Sequence, residues 1–183
     1  VRVYESPQRI AALIAEMLPV FGDRRAVLAR EMTKRYEEFI RGGLSSGAVG
    51  GMVGQLAKNM DCRVVGLAGG PQKCAAVIGE LGFDACIDYK QHPDLKSLSA
   101  ALKEACPKGI DGYFENVGGV ILDAVMQRAN AFSRIAMCGM IAGYNGEPIP
   151  LLAPQLILVN RMKVQGFIVS EHMQHWPQAL KEL

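Results

Sequence analysis

The 183-residue chain has the length of one ordinary domain, and half of its residues are hydrophobic while 21% are charged. This composition excludes intrinsic disorder and fibrous repeats, and no apolar run approaches the roughly 18 residues that a membrane-spanning helix needs. Twenty Lys and Arg against eighteen Asp and Glu leave a net charge of +2. We therefore expect no membrane partner, and the small charge does not favour a nucleic-acid partner.

Residues 1–44 predict a short β-α-β-β fragment. Strands are expected at 1–4, 26–30 and 36–40, and apolar residues at helical spacing after Pro7 predict a helix over 8–20. Only three of the twenty glycines come before residue 44. This change in composition predicts two parts, 1–44 and 45–183.

From residue 45 onward, helices and short apolar strands alternate. The first helix follows the glycine-rich segment and is predicted to end near residue 58. Further helices are predicted at 71–81, 95–105, 121–128, 152–162 and 172–183. Strands are predicted at 63–68, 85–88, 112–115, 133–138 and 163–169. Strands that are apolar on both faces and separated by helices predict an α/β fold with a mostly parallel, doubly wound sheet.

The five cysteines indicate a reducing compartment. Their number is odd and no pair has C-x-x-C spacing, so neither a disulfide framework nor a zinc ribbon is expected. No signal peptide opens the chain, which predicts a cytoplasmic location. The chain begins with Val1 and stops within a helical pattern, which we interpret as truncation at both ends.

A glycine-rich segment, residues 46–54, opens the first of the later helices. Its glycines allow a sharp turn and a close approach of the backbone to a diphosphate, and the helix N–H groups would face the phosphates. This arrangement is typical of the Rossmann fold. A plain turn is the alternative interpretation.

The end of the next strand contains no acidic residue. An NAD-specific fold places Asp or Glu there, whereas residues 66–72 read Gly-Leu-Ala-Gly-Gly-Pro-Gln and Lys73 follows. A cation beside a helix start suits a 2′-phosphate and favours NADP(H). The alternative is a solvated lysine at the start of a helix.

Residues 45–183 resemble the zinc-independent medium-chain dehydrogenase/reductases. Within them, the chain is similar to the NADPH-dependent alkenal, prostaglandin and leukotriene B4 reductases. The shared stretches are 46–50, 62–70 with Lys73, 81–84, 87–90, 115–119, 138–139, 144–145 and 166–169. The resemblance implies hydride transfer from NADPH to the β-carbon of an enone or enal, with protonation at the α-carbon. It implies no metal, and a homodimer is left open.

The resemblance also implies roles for individual residues. The cofactor-binding set is Gly47, Ala48, Val49, Gly50, Lys73, Tyr89, Asn116, Cys138, Gly139, Tyr144, Phe167, Ile168 and Val169. The first four would hold the diphosphate, and Lys73 and Tyr89 would contact the adenosine phosphate side. Asn116 would hydrogen-bond the cofactor, and Cys138 with the loop to Tyr144 would border the nicotinamide ribose. Backbone groups of 167–169 would bind the carboxamide. Tyr144 is the catalytic candidate, which would orient the substrate carbonyl or donate a proton.

The sequence departs from this family in three respects. Many relatives have Ser where this chain has Ala142, which puts part of the hydrogen bonding near the nicotinamide in doubt. The GroES-like catalytic domain that normally comes first is absent from the sequence. The native first strand of the Rossmann sheet is also missing, and residues 38–44 could occupy its place.

Residues 1–44 resemble the ribosomal RNA small-subunit cytidine 2′-O-methyltransferases of the tetrapyrrole methylase fold. The shared stretches are 4–9, 21–24, 28–34 and 37–42. The glycine loop that binds the methyl donor in that family would lie upstream of this sequence, so no methyltransferase activity is carried over. The chain therefore resembles a fusion with its joint near residues 44 and 45.

Three function classes remain open. The first is an NADPH-dependent oxidoreductase or its cofactor half, the second a module that binds NADPH without turnover, and the third a methyltransferase fragment using S-adenosylmethionine. His172 and His175 are expected to be exposed rather than metal ligands. Cys74 and Cys86 are expected in the core or on a helix face, and Asp111, Glu115 and Asp123 as solvated or strand-end carboxylates.

Overall fold

The computed structural model describes residues 26–30, 48–143, 146, 148–166 and 168. The strands of this part are β1 (Ala26–Arg30), β2 (Arg63–Ala68), β3 (Ala85–Asp88), β4 (Ile110–Glu115), β5 (Ala129–Met137) and β6 (Lys163–Gly166). The helices are α1 (Ala48–Asn59), α2 (Pro71–Gly79), α3 (Leu95–Ala105), α4 (Val120–Arg128) and α5 (Gln155–Val159). Two 3₁₀ turns span Tyr89–Gln91 and Ile141–Gly143.

The six strands form one sheet in the order β3-β2-β1-β4-β5-β6, and all five strand pairs are parallel. Helices cover both faces. Side chains of α1 and α2 pack with Val64 and Ala68 of β2 on one face, and side chains of α3 and α4 pack with Val65 and Leu67 on the other. The predicted doubly wound Rossmann sheet is therefore confirmed.

The central position of β1 corrects the predicted role of residues 26–30. They form a strand, as predicted, but this strand lies between β2 and β4 in the sheet rather than in a separate preceding fragment. The place proposed for residues 38–44 is thereby taken, so that hypothesis is wrong. The run Ala-Val-Leu-Ala at 26–29 has the uninterrupted apolar character of a central parallel strand, whereas Glu38 and Arg41 interrupt the other candidate.

Close packing at Gly54 joins α1 to the segment between α2 and β3. A Cβ built on Gly54 would lie 1.8 Å from Cζ of Phe83, whose side chain is buried in the same core as Val53 and Val77. Only a residue without a side chain allows the aromatic ring to occupy this position. The sequence predicts that Gly54 allows close packing of the helix on a strand. In the structure the close neighbour is Phe83, which lies between α2 and β3.

The predicted boundaries of the elements agree closely with the structure where Gly and Pro lie between elements, and less well in the last third of the chain. Strand β5 begins at Ala129 instead of 133, directly after α4. Helix α5 is limited to Gln155–Val159 instead of 152–162. Its late start follows from Pro154 at the N-cap, because a proline has no N–H to donate in a helix interior. The other predicted elements, at 1–4, 8–20, 36–40 and 172–183, lie outside the described residues.

Candidate functional site

Four of the residues singled out from the sequence follow the carboxyl ends of three strands. Tyr89 comes directly after β3, Asn116 after β4, and Cys138 and Gly139 after β5. Because the strands are parallel, these ends lie at one edge of the sheet. The strand order reverses its direction between β1 and β4, and ligands of open α/β sheets bind in the crevice outside such a reversal.

Helix α1 begins at Ala48, at the same edge of the sheet, because it follows β1 and leads back to the start of β2. Ala48, Val49 and Gly50 form its first turn, whose backbone N–H groups have no partner within a helix. These groups and the positive end of the helix dipole can bind an anion. Gly47, the first residue of the predicted diphosphate set, lies outside the described residues.

The loop from β2 to α2 presents an open backbone. Gly70 has a φ of 110°, which favours glycine, and no atom lies within 4 Å of the position that a Cβ would occupy. Lys73 is the third residue of α2 and is half-buried. The Tyr89 side chain packs against the same loop, because a Cβ on Gly69 would lie 2.8 Å from Tyr89 Oη. The structure thus places Tyr89 against this loop and Lys73 in the helix that the loop leads into.

Asp88, the last residue of β3, holds this loop in place. Its Oδ1 accepts hydrogen bonds from the backbone N–H groups of Gly70 (2.8 Å) and Lys90 (3.1 Å), and its Oδ2 accepts one from Gln91 Nε2 (3.2 Å). Burial raises the pKa of the Asp88 carboxyl, but these hydrogen bonds and the charge of Lys90 outweigh burial, so the pKa lies below its ordinary value.

Hydrogen bonds join the segments that follow β4 and β5. The carbonyl of Glu115 accepts from the N–H groups of Cys138 (2.8 Å) and Gly139 (3.1 Å), and the carbonyl of Asn116 accepts from the N–H of Ile141 (3.1 Å). The Glu115 side chain is fully buried, and its Oε1 accepts hydrogen bonds from the N–H groups of Val117 and Gly118. Asn116 and Cys138 are therefore held beside one another by main-chain contacts.

The buried carboxylates correct one expectation from the sequence. Glu115 ends a strand, but its side chain is buried rather than solvated. Asp123 is neither solvated nor at the end of a strand, because it is buried on α4. Asp123 Oδ1 accepts a hydrogen bond from the N–H of Leu152 at 3.0 Å. Sequence reasoning assigned no role to Asp88 and Glu115. A strand-end position was the available signal for both, but their backbone partners are visible only in the structure.

Besides Gly47, the predicted site residues Tyr144, Phe167 and Val169 lie outside the described residues, as do His172 and His175. Ile168 is described and its side chain is exposed. Among the residues that the structure describes, no group of three His, Cys, Asp or Glu could hold a metal ion. In that same part of the chain, no helix has the length and apolar character to cross a bilayer.

An apolar cavity of about 160 Å³ lies on the α4 side of the sheet. Leu122 and Met126 of α4, Ile135 and Met137 of β5, and Ile149 contribute to its lining. Met140, which also lines it, belongs to the segment 138–144 that the sequence places beside the cofactor. The apolar walls of this cavity do not suit a phosphate group.

The sequence matches the family described as zinc-binding dehydrogenase over residues 48–183. The chain belongs to this zinc-binding dehydrogenase family. The match covers α1 and all later elements. The carboxyl edge of the sheet is therefore built by the matched residues together with β1, which precedes them. The description names zinc, whereas the described residues offer no metal cluster.

Curated members related to this chain include three reductases. The chain is 42% identical over 137 residues to NADPH-dependent curcumin reductase of Escherichia coli and 44% identical over 138 residues to 2-alkenal reductase (NADP⁺-dependent) of Nicotiana tabacum. It is 44% identical over 128 residues to prostaglandin reductase 1 of Mus musculus. These matches cover 72%, 75% and 69% of this chain and 39%, 39% and 38% of the respective relatives.

Solved structures of similar fold agree with this placement in the family. CurA from Vibrio vulnificus in complex with NADPH superimposes with a TM-score of 0.71 at 34% identity, covering 97% of this chain and 52% of that protein. A mycobacterial protein complexed with NADPH superimposes with a TM-score of 0.69 at 17% identity, which shows the fold alone. The chain therefore spans about half of the CurA structure and about two fifths of its curated relatives.

Proposed function

We propose that this chain is the cofactor-binding part of an NADPH-dependent reductase that transfers hydride to the double bond of an α,β-unsaturated carbonyl compound. The observation that carries the proposal is the loop after β2, where no acid ends the strand and Lys73 enters the next helix. The identity of 42–44% to reductases whose names specify NADPH, NADP⁺ or prostaglandin supports the same conclusion.

The loop after β2 fits an adenosine 2′-phosphate. Its open side at Gly70 leaves room for a ligand, and the start of α2 offers backbone N–H groups beside the Lys73 ammonium. The nearest strand-end acid, Asp88, already accepts three hydrogen bonds from the protein, two of them from backbone N–H groups. In this proposal Tyr89, which packs on Gly69, forms the wall on the β3 side.

The remaining predicted residues extend the site across the sheet edge. The first turn of α1, with Gly47, Ala48, Val49 and Gly50, would bind the diphosphate through backbone N–H groups. Asn116, Cys138 and Gly139 would border the nicotinamide ribose, in the region that the carbonyl of Glu115 holds together. Backbone groups of Phe167, Ile168 and Val169 would bind the carboxamide.

The bound cofactor would supply a hydride to the β-carbon of the substrate. The chain would position the substrate carbonyl and provide the proton for the α-carbon, and we propose Tyr144 for that role. The small-molecule enone or enal would bind between this part and the rest of the full-length enzyme.

Self-association is the second part of the proposal. Strand β6 is an edge strand of the described sheet, and apolar side chains are exposed on α5, which precedes it in the chain, with Leu158 81% and Val159 60% exposed. A second copy of the chain would cover this surface. Light scattering after gel filtration would then give the mass of a dimer, and Leu158→Glu would give a monomer. A monomeric parent chain would contradict this part.

A fluorescence titration of the purified chain tests the cofactor assignment. We expect NADPH to bind at least about tenfold more tightly than NADH, because a charge-assisted phosphate contact contributes about 1.5–3 kcal/mol. Equal affinities would refute the NADPH assignment. Binding of S-adenosylmethionine instead would indicate the methyltransferase alternative for residues 1–44. Loss of NADPH absorbance with an added 2-alkenal separates a reductase from a module that binds without turnover.

A further inference from the structure

Two cysteines that are twelve positions apart in the sequence meet on the α2 face of the sheet. Cys74 lies in the first half of α2 and Cys86 lies in β3, and Cys86 Sγ is 3.0 Å from Cys74 Sγ. Both residues are half-buried and pack against the core that contains Val77 and Phe83. Gly66 of β2 lies beside the pair, since a Cβ there would lie 3.4 Å from Cys86 Sγ.

We propose that Cys74 and Cys86 form a reversible disulfide that joins the start of α2 to β3. Both sulfur atoms already face one another, so they must approach by only about 1 Å to reach the bond length of about 2.05 Å. Neither residue is fully buried, so a small oxidant can reach the pair from the surface. The bond would close a short loop that contains most of α2.

The oxidant we propose is a low-molecular-weight disulfide such as oxidised glutathione. The thiolate of one cysteine attacks this disulfide, which forms a mixed disulfide and releases one glutathione thiol. The thiolate of the other cysteine then attacks the protein sulfur of the mixed disulfide and releases the second glutathione. Two protein thiols are thus oxidised, one small disulfide is reduced to two thiols, and the two cysteine protons end on the released glutathione.

The bond would lie beside the proposed 2′-phosphate site, and its effect there rests on the proposed function. Lys73 directly precedes Cys74, and Asp88, which holds the loop at Gly70, lies two residues after Cys86. A shift of the first turn of α2 toward β3 would move Lys73 relative to the bound phosphate. We expect the oxidised chain to bind NADPH roughly threefold or more weakly, with a smaller change for NADH.

Peptide mapping of the whole 183-residue chain tests the bond without any cofactor. Trypsin places both cysteines on the peptide 74–90, while Cys62, Cys106 and Cys138 fall on other peptides. After equilibration with oxidised glutathione and alkylation, we expect this peptide to lose two hydrogens, to carry no alkyl group, and to revert with a reductant. Cys106 serves as an internal control, because burial raises its pKa to about 11 and keeps it a thiol.

Single cysteine variants show which thiols the disulfide requires. Cys74→Ser and Cys86→Ser should each abolish the two-hydrogen loss, whereas Cys62→Ser should leave it unchanged. Alkylation of both cysteines in peptide 74–90 after oxidation, or a bond between two copies, would overturn the disulfide. A disulfide that forms without changing NADPH affinity would overturn only its effect on the site. Failure of the reduced chain to bind NADPH would refute the proposed function instead. The peptide map would still show whether the disulfide forms.

Discussion

The carboxylate of Asp88 accepts a hydrogen bond from the backbone N–H of Gly70 at 2.8 Å, and this contact joins the carboxyl ends of two neighbouring strands. Ala68, the last residue of β2, lies opposite Asp88 in the register of the sheet. An acid therefore does lie near the end of β2, but it comes from β3 and binds the protein backbone. The same contact fixes the residue that precedes α2, and Lys73 follows it three positions later.

Asp88→Asn should weaken NADPH binding, although the side chain at this position does not contact the cofactor in the proposed site. The amide keeps the shape of the side chain but has only one oxygen and no charge, so the Gly70 loop would be held less firmly. We expect the Kd for NADPH to rise roughly threefold, measured by fluorescence titration. Asp94→Asn is the matched control, because Asp94 Oδ1 accepts from the N–H of Ser97 at the start of α3 rather than from the Gly70 loop. Equal effects of both variants on affinity would contradict the positioning role of Asp88.

Lys73→Ala should remove most of the preference for NADPH over NADH. Loss of one charge-assisted contact to a phosphate corresponds to about a tenfold or larger rise in the Kd for NADPH, while the Kd for NADH should change little. Lys96→Ala removes an equivalent positive charge from the exposed surface of α3 and should leave both affinities unchanged. A variant that still prefers NADPH as strongly as the parent chain would show that Lys73 does not contact the phosphate.

Gly54→Ala should destabilise the chain, although alanine is the better helix former. The added Cβ would overlap the ring of Phe83, and such overpacking costs about 1–3 kcal/mol, against a gain of up to about 1 kcal/mol in helix propensity. Gly79→Ala is the matched control in α2, because no atom lies within 4 Å of its Cβ position. Urea unfolding should show lower stability for the first variant and equal or higher stability for the second. The reverse order would refute the close packing at Gly54.

The ion pair between Lys58 and Asp84 should make stability depend on pH in the acid range. Lys58 Nζ lies 2.9 Å from Asp84 Oδ1, and Asp84 Oδ2 accepts a hydrogen bond from the N–H of Val64 at 2.6 Å. Burial raises the pKa of Asp84, but the hydrogen bonds from Lys58 and Val64 and the charge of Lys58 outweigh burial and lower it overall. A lowered pKa stabilises the fold above the unfolded value of about 4, and this contribution is lost as pH falls through the folded value.

Urea unfolding at neutral pH and at successively lower pH values measures this contribution. Asp84→Asn should lower stability at neutral pH and reduce the loss of stability on acidification, so that the two unfolding curves converge at low pH. Glu104→Gln, on the exposed side of α3, should follow the parent chain at every pH. A constant difference between the Asp84→Asn variant and the parent chain would refute the assignment.

Local patterns predicted most of the elements in the middle of the chain. Strands β2 and β3 and helix α3 have the predicted boundaries, because apolar runs of strand length and the Gly, Pro and Asp residues between them act over a few neighbours. The early start of β5 has no such signal. There the N–H of Phe132 donates to the carbonyl of Asn160 at 2.7 Å, a partner 28 positions later in the chain.

The sequence by itself determined the class of fold, the glycine-rich start of α1 and the absence of an acid at the end of β2, since these depend on residue type and short spacing. Only the tertiary structure decided that residues 26–30 occupy the centre of the sheet, that Asp88 holds Gly70, and that Cys74 faces Cys86. Those relationships depend on which strands become neighbours. Strand order brings together residues that are distant in the chain, and no local pattern of residues encodes it.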